Sequence, residues 1–127
     1  MHKGSCLCGE VKFEVSGKLG AGEMCHCTEC RKWTGHVYAS VDVPRDELTI
    51  YGEEKVSWFK YSEKVRRGFC SNCGSSMFFD PIDIKSRPWV AVALGAFDNP
   101  TEINIELHIF VAEKGDYYDI PDNQKAE

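Results

Sequence analysis

Seven cysteines in a chain of 127 residues, gathered into three tight groups, limit what this sequence can fold into more than any other feature. Cys6 and Cys8 come first, Cys25, Cys27 and Cys30 follow, and Cys70 and Cys73 complete the set. Scattered buried cysteines act as small hydrophobes, but clusters at these spacings read as metal ligands. Two other uses fit less well. The amino terminus, Met1-His2-Lys3-Gly4-Ser5-Cys6, lacks the apolar core of a secretion signal, which points to the cytoplasm, where paired disulfides are rare. A redox pair at Cys70 and Cys73 calls for a strand-to-helix setting, whereas strand-like residues lie on both sides of it.

Spacing suggests how the sulfurs divide. In a strand, residues i and i+2 share a face, so each Cys-x-Cys pair can aim two sulfurs at one point. Cys70-Ser71-Asn72-Cys73-Gly74 lets the chain turn around an ion, with the glycine free to take a positive φ. Structural zinc sites close with four ligands, while catalytic ones keep a position open. Cys25, Cys27 and Cys30 can face one ion without help from elsewhere, so the economical partition joins Cys6 and Cys8 to Cys70 and Cys73. His36 is an alternative fourth ligand that would close the three-cysteine site. His26 should point away from its cysteine neighbours, His108 reads as a structural histidine within a strand, and His2 as solvated.

The rest of the chain reads as mainly β. Val11, Phe13 and Val15 alternate with polar residues, and further strands are predicted at 37–43, 48–51, 56–61, 65–70, 76–79, 89–94 and 106–111. One short helix is expected from about Thr28 to Trp33, ending at Gly35, and Pro44 can open a single turn. Residues 1–121 read as one domain and residues 122–127 as a flexible tail. The formal charge of −5 argues against nucleic acid or an anionic membrane surface as the main partner. The longest apolar run, Trp89 to Ala96, suits a buried strand and is far shorter than a membrane helix of about 20 residues.

Three ordered motifs then resemble the glutathione-dependent formaldehyde-activating enzyme family. They are Gly4-Ser5-Cys6-Leu7-Cys8-Gly9-Glu10-Val11, Cys25-His26-Cys27-Thr28-Glu29-Cys30-Arg31-Lys32 with Thr34-Gly35, and Arg67-Gly68-Phe69-Cys70-Ser71-Asn72-Cys73-Gly74-Ser75. The resemblance implies a β-tent of small antiparallel sheets with two zinc ions per chain. It carries a structural zinc over to Cys6, Cys8, Cys70 and Cys73, and a catalytic zinc to Cys25, Cys27 and Cys30. It further implies a carbon–sulfur lyase acting on a small thiol–aldehyde adduct such as S-hydroxymethylglutathione, with glutathione as the partner thiol. Arg31, Lys32, Arg66 and Arg67 are candidates for holding substrate carboxylates. Two other classes compete with this one: a zinc-binding protein-interaction module, and a redox or metal-transfer centre at Cys25, Cys27 and Cys30.

Overall fold

The computed structural model describes every residue, Met1–Glu127. In chain order its strands are β1 (His2–Ser5), β2 (Lys12–Val15), β3 (Gly22–Cys25), β4 (Tyr38–Pro44), β5 (Leu48–Tyr51), β6 (Val56–Lys60), β7 (Arg66–Cys70), β8 (Ser76–Asp80), β9 (Trp89–Ala93), β10 (Ile105–Ile109) and β11 (Lys125–Ala126). A single α-helix, α1 (Thr28–Thr34), lies between β3 and β4. No helix is long and apolar enough to cross a membrane.

The strands form a three-stranded sheet, β1-β2-β5, and an eight-stranded sheet, β11-β10-β3-β4-β9-β8-β7-β6. The expected small antiparallel sheets hold for the first and for most of the second. At the far end, however, β10 runs parallel to both β3 and β11. β11 falls where a flexible tail was expected, and backbone bonds from Glu127 N to His108 O (2.8 Å) and Val111 N to Glu127 O (3.3 Å) pair that segment with the sheet. Two strands, β1 and β3, were not read from the sequence. Neither carries a β-branched residue, and their extended shape comes from pairing with neighbours rather than from propensity.

Alternation of side chains gives the large sheet two different faces. Val41, Val43, Val90 and Val92 turn toward the small sheet and meet Val11, Phe13 and Val15 in one buried core. Phe13 sits edge-on to Phe78 and Phe97, with ring centroids 5.9 and 5.2 Å away. Burial of such a ring contributes about 1.5–3 kcal/mol. The alternate positions, Tyr38, Ser40, Asp42, Trp89 and Ala91, face the other way and line a cavity.

One buried ion pair network ties β8 to its surroundings. Asp80 is only 3% exposed and accepts from Arg45 at 2.5 Å and Arg66 at 2.8 Å, and Arg66 also lies 3.9 Å over the Trp58 ring. Burial alone would raise the Asp80 carboxyl, but the two arginines hold it below the usual carboxylate range. A depressed folded-state pKa adds stability above the ordinary carboxylate pKa near ~3.9, and that contribution is lost as pH falls through the folded value. Asp80→Asn should therefore cost roughly 3 kcal/mol near neutral pH, and the gap to wild type should shrink below about pH 4. Urea denaturation of both proteins across that range checks this.

Candidate metal centres

The four-cysteine group assembles at one end of β7. Cys6 follows β1, Cys70 ends β7, and Cys8 and Cys73 come from the tight turns after them. Each turn closes with a glycine N–H returning to the first cysteine, Gly9 N to Cys6 O at 3.2 Å and Gly74 N to Cys70 O at 2.8 Å. Both glycines have positive φ, 83° and 81°, and neither has an atom near where a Cβ would sit. The backbone angle, not crowding, is what requires glycine at these positions.

The sulfurs of Cys6, Cys8, Cys70 and Cys73 all lie within 4.8 Å of one another. Cys6 Sγ is 3.6 Å from Cys8 Sγ, which is 3.7 Å from Cys70 Sγ. Zinc–sulfur bonds of about 2.3 Å in a tetrahedron put sulfurs roughly 3.8 Å apart, so the group fits a closed site. Several donors suit thiolates. Val11 N points to Cys6 Sγ, Asn72 Nδ2 to Cys8 Sγ and Cys73 N to Cys70 Sγ, at 3.3, 3.3 and 3.5 Å. The Ser75 hydroxyl, 3.1 Å from Cys73 Sγ, together with backbone N–H groups, holds the Cys73 thiol down at about 5.

The three-cysteine group is local. Cys25 ends β3, Cys27 caps helix α1, and Cys30 is buried in the first turn of that helix. Cys27 Sγ accepts from Cys30 N at 3.3 Å, so the helix start and the putting together of the sulfurs are one arrangement. All three sulfurs fall within 4.8 Å of one another. Behind them lies Arg67, 3% exposed, whose Nη1 and Nη2 reach Cys30 Sγ at 3.6 and 3.7 Å. The Cys25 thiol and this guanidinium together hold Cys30 down at about 6, against the effect of burial. Bonding to Cys30 pushes the Cys25 thiol up, and burial adds to that rise.

This group differs from the first in what lies before it. Cys25, Cys27 and Cys30 open on a cavity of about 690 Å³ whose apolar wall includes Phe79, Trp89, Ile109 and Phe110. Its polar lining includes Glu23, Ser40 and Asp42, and burial, with Asp42 and Glu127 nearby, pushes the Glu23 carboxyl above its usual range.

The histidines and basic residues separate in the structure. His36 stands outside the sulfur group and its Nδ1 is 2.7 Å from the Tyr117 hydroxyl. His26 does point away from the sulfurs and is 1% exposed, bonded through Nδ1 to Tyr118 and through Nε2 to His108 Nδ1 at 2.9 Å. His108 Nε2 in turn meets Gln124 Oε1, so His26 and His108 belong to one hydrogen-bonded chain running from Tyr118 to Gln124. His2 is half-buried, its ring edge-on to Phe97. Of the four basic candidates only Arg67 lines the cavity. Arg66 is held by Asp80, Arg31 Nε donates to Glu113 O at 2.9 Å, and Lys32 is exposed. Arg67 itself is committed to Cys30 and, at 3.9 Å, to Glu29, so it supports the Cys30 sulfur rather than reaching out for a carboxylate.

A mainly β chain that folds two separate thiol clusters, one closed and one opening on a cavity, defines a class of β-rich protein suited to binding metal at two centres. The family model for the glutathione-dependent formaldehyde-activating enzyme matches residues 1–113, and the chain belongs to that family. Among curated proteins it is 24% identical over 118 residues to an uncharacterized lyase of Schizosaccharomyces pombe, spanning 93% of this chain and 84% of that one. It is 27% identical over 133 aligned positions to a Halomonas elongata protein provisionally named a glutathione-dependent formaldehyde-activating enzyme, spanning 97% and 83%. A crystal structure of a Rhodobacter sphaeroides protein shares the fold with a TM-score of 0.61 at 23% identity, covering 81% of this chain and 98% of that one.

Proposed function

We propose that this chain is a zinc-dependent carbon–sulfur lyase acting on small thiol–aldehyde adducts, with S-hydroxymethylglutathione as the leading candidate. The observation that carries the reading is the contrast between the two thiol groups: four sulfurs that close on themselves and three that open on a 690 Å³ cavity. On this assignment Cys6, Cys8, Cys70 and Cys73 hold a structural zinc, and Cys25, Cys27 and Cys30 hold a second one beside the substrate. Bound there, zinc would supply a Lewis acid that favours a thiolate over a thiol and polarises a neighbouring oxygen.

The chain's own residues have distinct parts in this. Arg67 donates two N–H bonds to Cys30 Sγ and offsets the negative charge that three thiolates bring into a half-buried site. Phe79, Trp89, Ile109 and Phe110 keep one wall of the cavity apolar, which strengthens the electrostatic contacts made inside it. The reaction is balanced without an oxidant: the carbon–sulfur bond of the adduct breaks, the hydroxyl proton leaves oxygen, and sulfur ends as the free thiol beside an aldehyde. Seven unpaired cysteines also suit a reducing compartment such as the cytoplasm.

Elemental analysis of protein purified without chelator, followed by assay on thiol–formaldehyde adducts, tests the proposal. The expected result is two zinc ions per chain and adduct cleavage that stops when the second ion is removed. Full zinc content with no turnover of any adduct would instead support the interaction-module reading.

A further inference from the structure

We propose that Glu23, Ser40 and Asp42 form a subsite for an ammonium group, so that the cavity selects thiols carrying a free amine. This rests on reading the cavity as a thiol site, and it adds a requirement that no feature of the sulfur cluster supplies.

The three residues share one face of the large sheet. Glu23 on β3 is register partner to Ser40 on β4, Asp42 lies two residues further along β4, and all three line the cavity. Cys25 follows Glu23 by two residues on the same strand, which places the acidic wall roughly 6.6 Å along the strand from the sulfur cluster. Diagonal neighbours across a strand pair sit about 7–8 Å apart, so a cation seated between the Glu23 and Asp42 carboxylates can reach both.

Partner accounting separates this wall from the other charges of the cavity. Glu29 lies 3.9 Å from Arg67, and Glu113 accepts from Thr28 N at 3.0 Å. Glu23 and Asp42 form no ion pair with any lysine or arginine of the chain. Ser40 is 4% exposed, lines the cavity, and its hydroxyl has no hydrogen-bond partner within the chain. What little of Ser40 is exposed faces the cavity, so its unpartnered hydroxyl is free to bond a ligand atom there. Arg87, exposed at the mouth, is the one guanidinium of the cavity without an acidic or sulfur partner, so the unpartnered charge there is net negative.

An ammonium group fits this set. It carries three N–H donors, matching two carboxylates and a hydroxyl, and the Trp89 ring nearby adds an aromatic face that favours a cation. A compact divalent ion would want six or more oxygens close together, which these spread positions do not give.

Calorimetric titration of the zinc-loaded protein with glutathione, N-acetylglutathione and S-methylglutathione tests the inference. Glutathione should bind about ten-fold or more tighter than its N-acetyl derivative. In the Glu23→Gln, Asp42→Asn double variant that preference should fall to near unity while binding of the N-acetyl form is unchanged. Ser40→Ala, which removes an unpartnered hydroxyl and so leaves the fold alone, should reduce the preference by a few-fold. Equal binding of the free and acetylated amines, or a preference that survives in the double variant, overturns the ammonium subsite and leaves the thiol reading standing. Equal binding of glutathione and S-methylglutathione overturns the thiol reading, while loss of binding only on acetylation would still support the subsite. No binding of any of the three overturns both.

Discussion

Cys73→Ser should give a chain that is unfolded or insoluble on expression. A structural zinc site contributes about 10–16 kcal/mol of apparent free energy in small peptides, which matches or exceeds the roughly 5–15 kcal/mol that holds a typical domain together. Cys73 is also the thiol held lowest, with Ser75 and backbone N–H groups arranged around its sulfur, so a serine there leaves those donors facing a hydroxyl. The loss would reach well beyond the turn itself. Cys6 and Cys70 belong to the same buried core cluster as Phe13 and Phe78, so an ion held by these sulfurs would tie the small sheet to the large one. The soluble fraction and the far-ultraviolet circular dichroism of the variant are the measurements, and a well-folded Cys73→Ser protein carrying two metals would remove this site from the structural role.

Cys27→Ser should behave in the opposite way, remaining folded while losing one metal ion and at least about a hundred-fold in adduct turnover, more than changes in groups around a metal usually cause. The fold survives for a reason visible at the helix start. Cys27 caps α1 by accepting from Cys30 N, and serine is among the best residues for that position, so the cap is retained while the thiolate is lost. Cys25 and Cys30 would remain together, with Arg67 still on Cys30, but the group would have lost one of its three sulfurs. Zinc content per chain, read with the denaturation midpoint, separates metal loss from unfolding. Equal damage from Cys27→Ser and Cys73→Ser would mean that the seven cysteines are not divided four and three.

Much of this arrangement was legible before any coordinates. Spacing suggested, and the family resemblance implied, one group of Cys6, Cys8, Cys70 and Cys73 and another of Cys25, Cys27 and Cys30, and within each of these groups the sulfurs lie within 4.8 Å of one another. Strand β5 was read residue for residue, and the helix to within one residue, because alternation and capping are local signals. What was missed depends on partners far away in the chain. β3, Gly-Glu-Met-Cys, has no strand propensity to speak of and is extended because β4 and β10 pair with both of its edges. The bonds that bury His26 reach 82 residues away to His108 and 92 residues away to Tyr118. Arg67 was named as a candidate but in another role, since only the packed structure shows that its guanidinium points at Cys30 rather than into open space.

The two thiol groups differ in one more respect, the length of chain that must exist before each is complete. Cys25, Cys27 and Cys30 need only six consecutive residues, whereas Cys8 and Cys70 stand 62 positions apart. On a growing polypeptide the local triple is finished early, at a moment when Cys6 and Cys8 are also displayed and their final companions have not yet been made. Five thiols are then available to any ion that arrives, and nothing in their chemistry marks which belong together. If both groups take up metal, correct loading would be a contest between the pace of synthesis and the supply of ions, closed when the turn at residues 70–73 emerges and draws the first pair away.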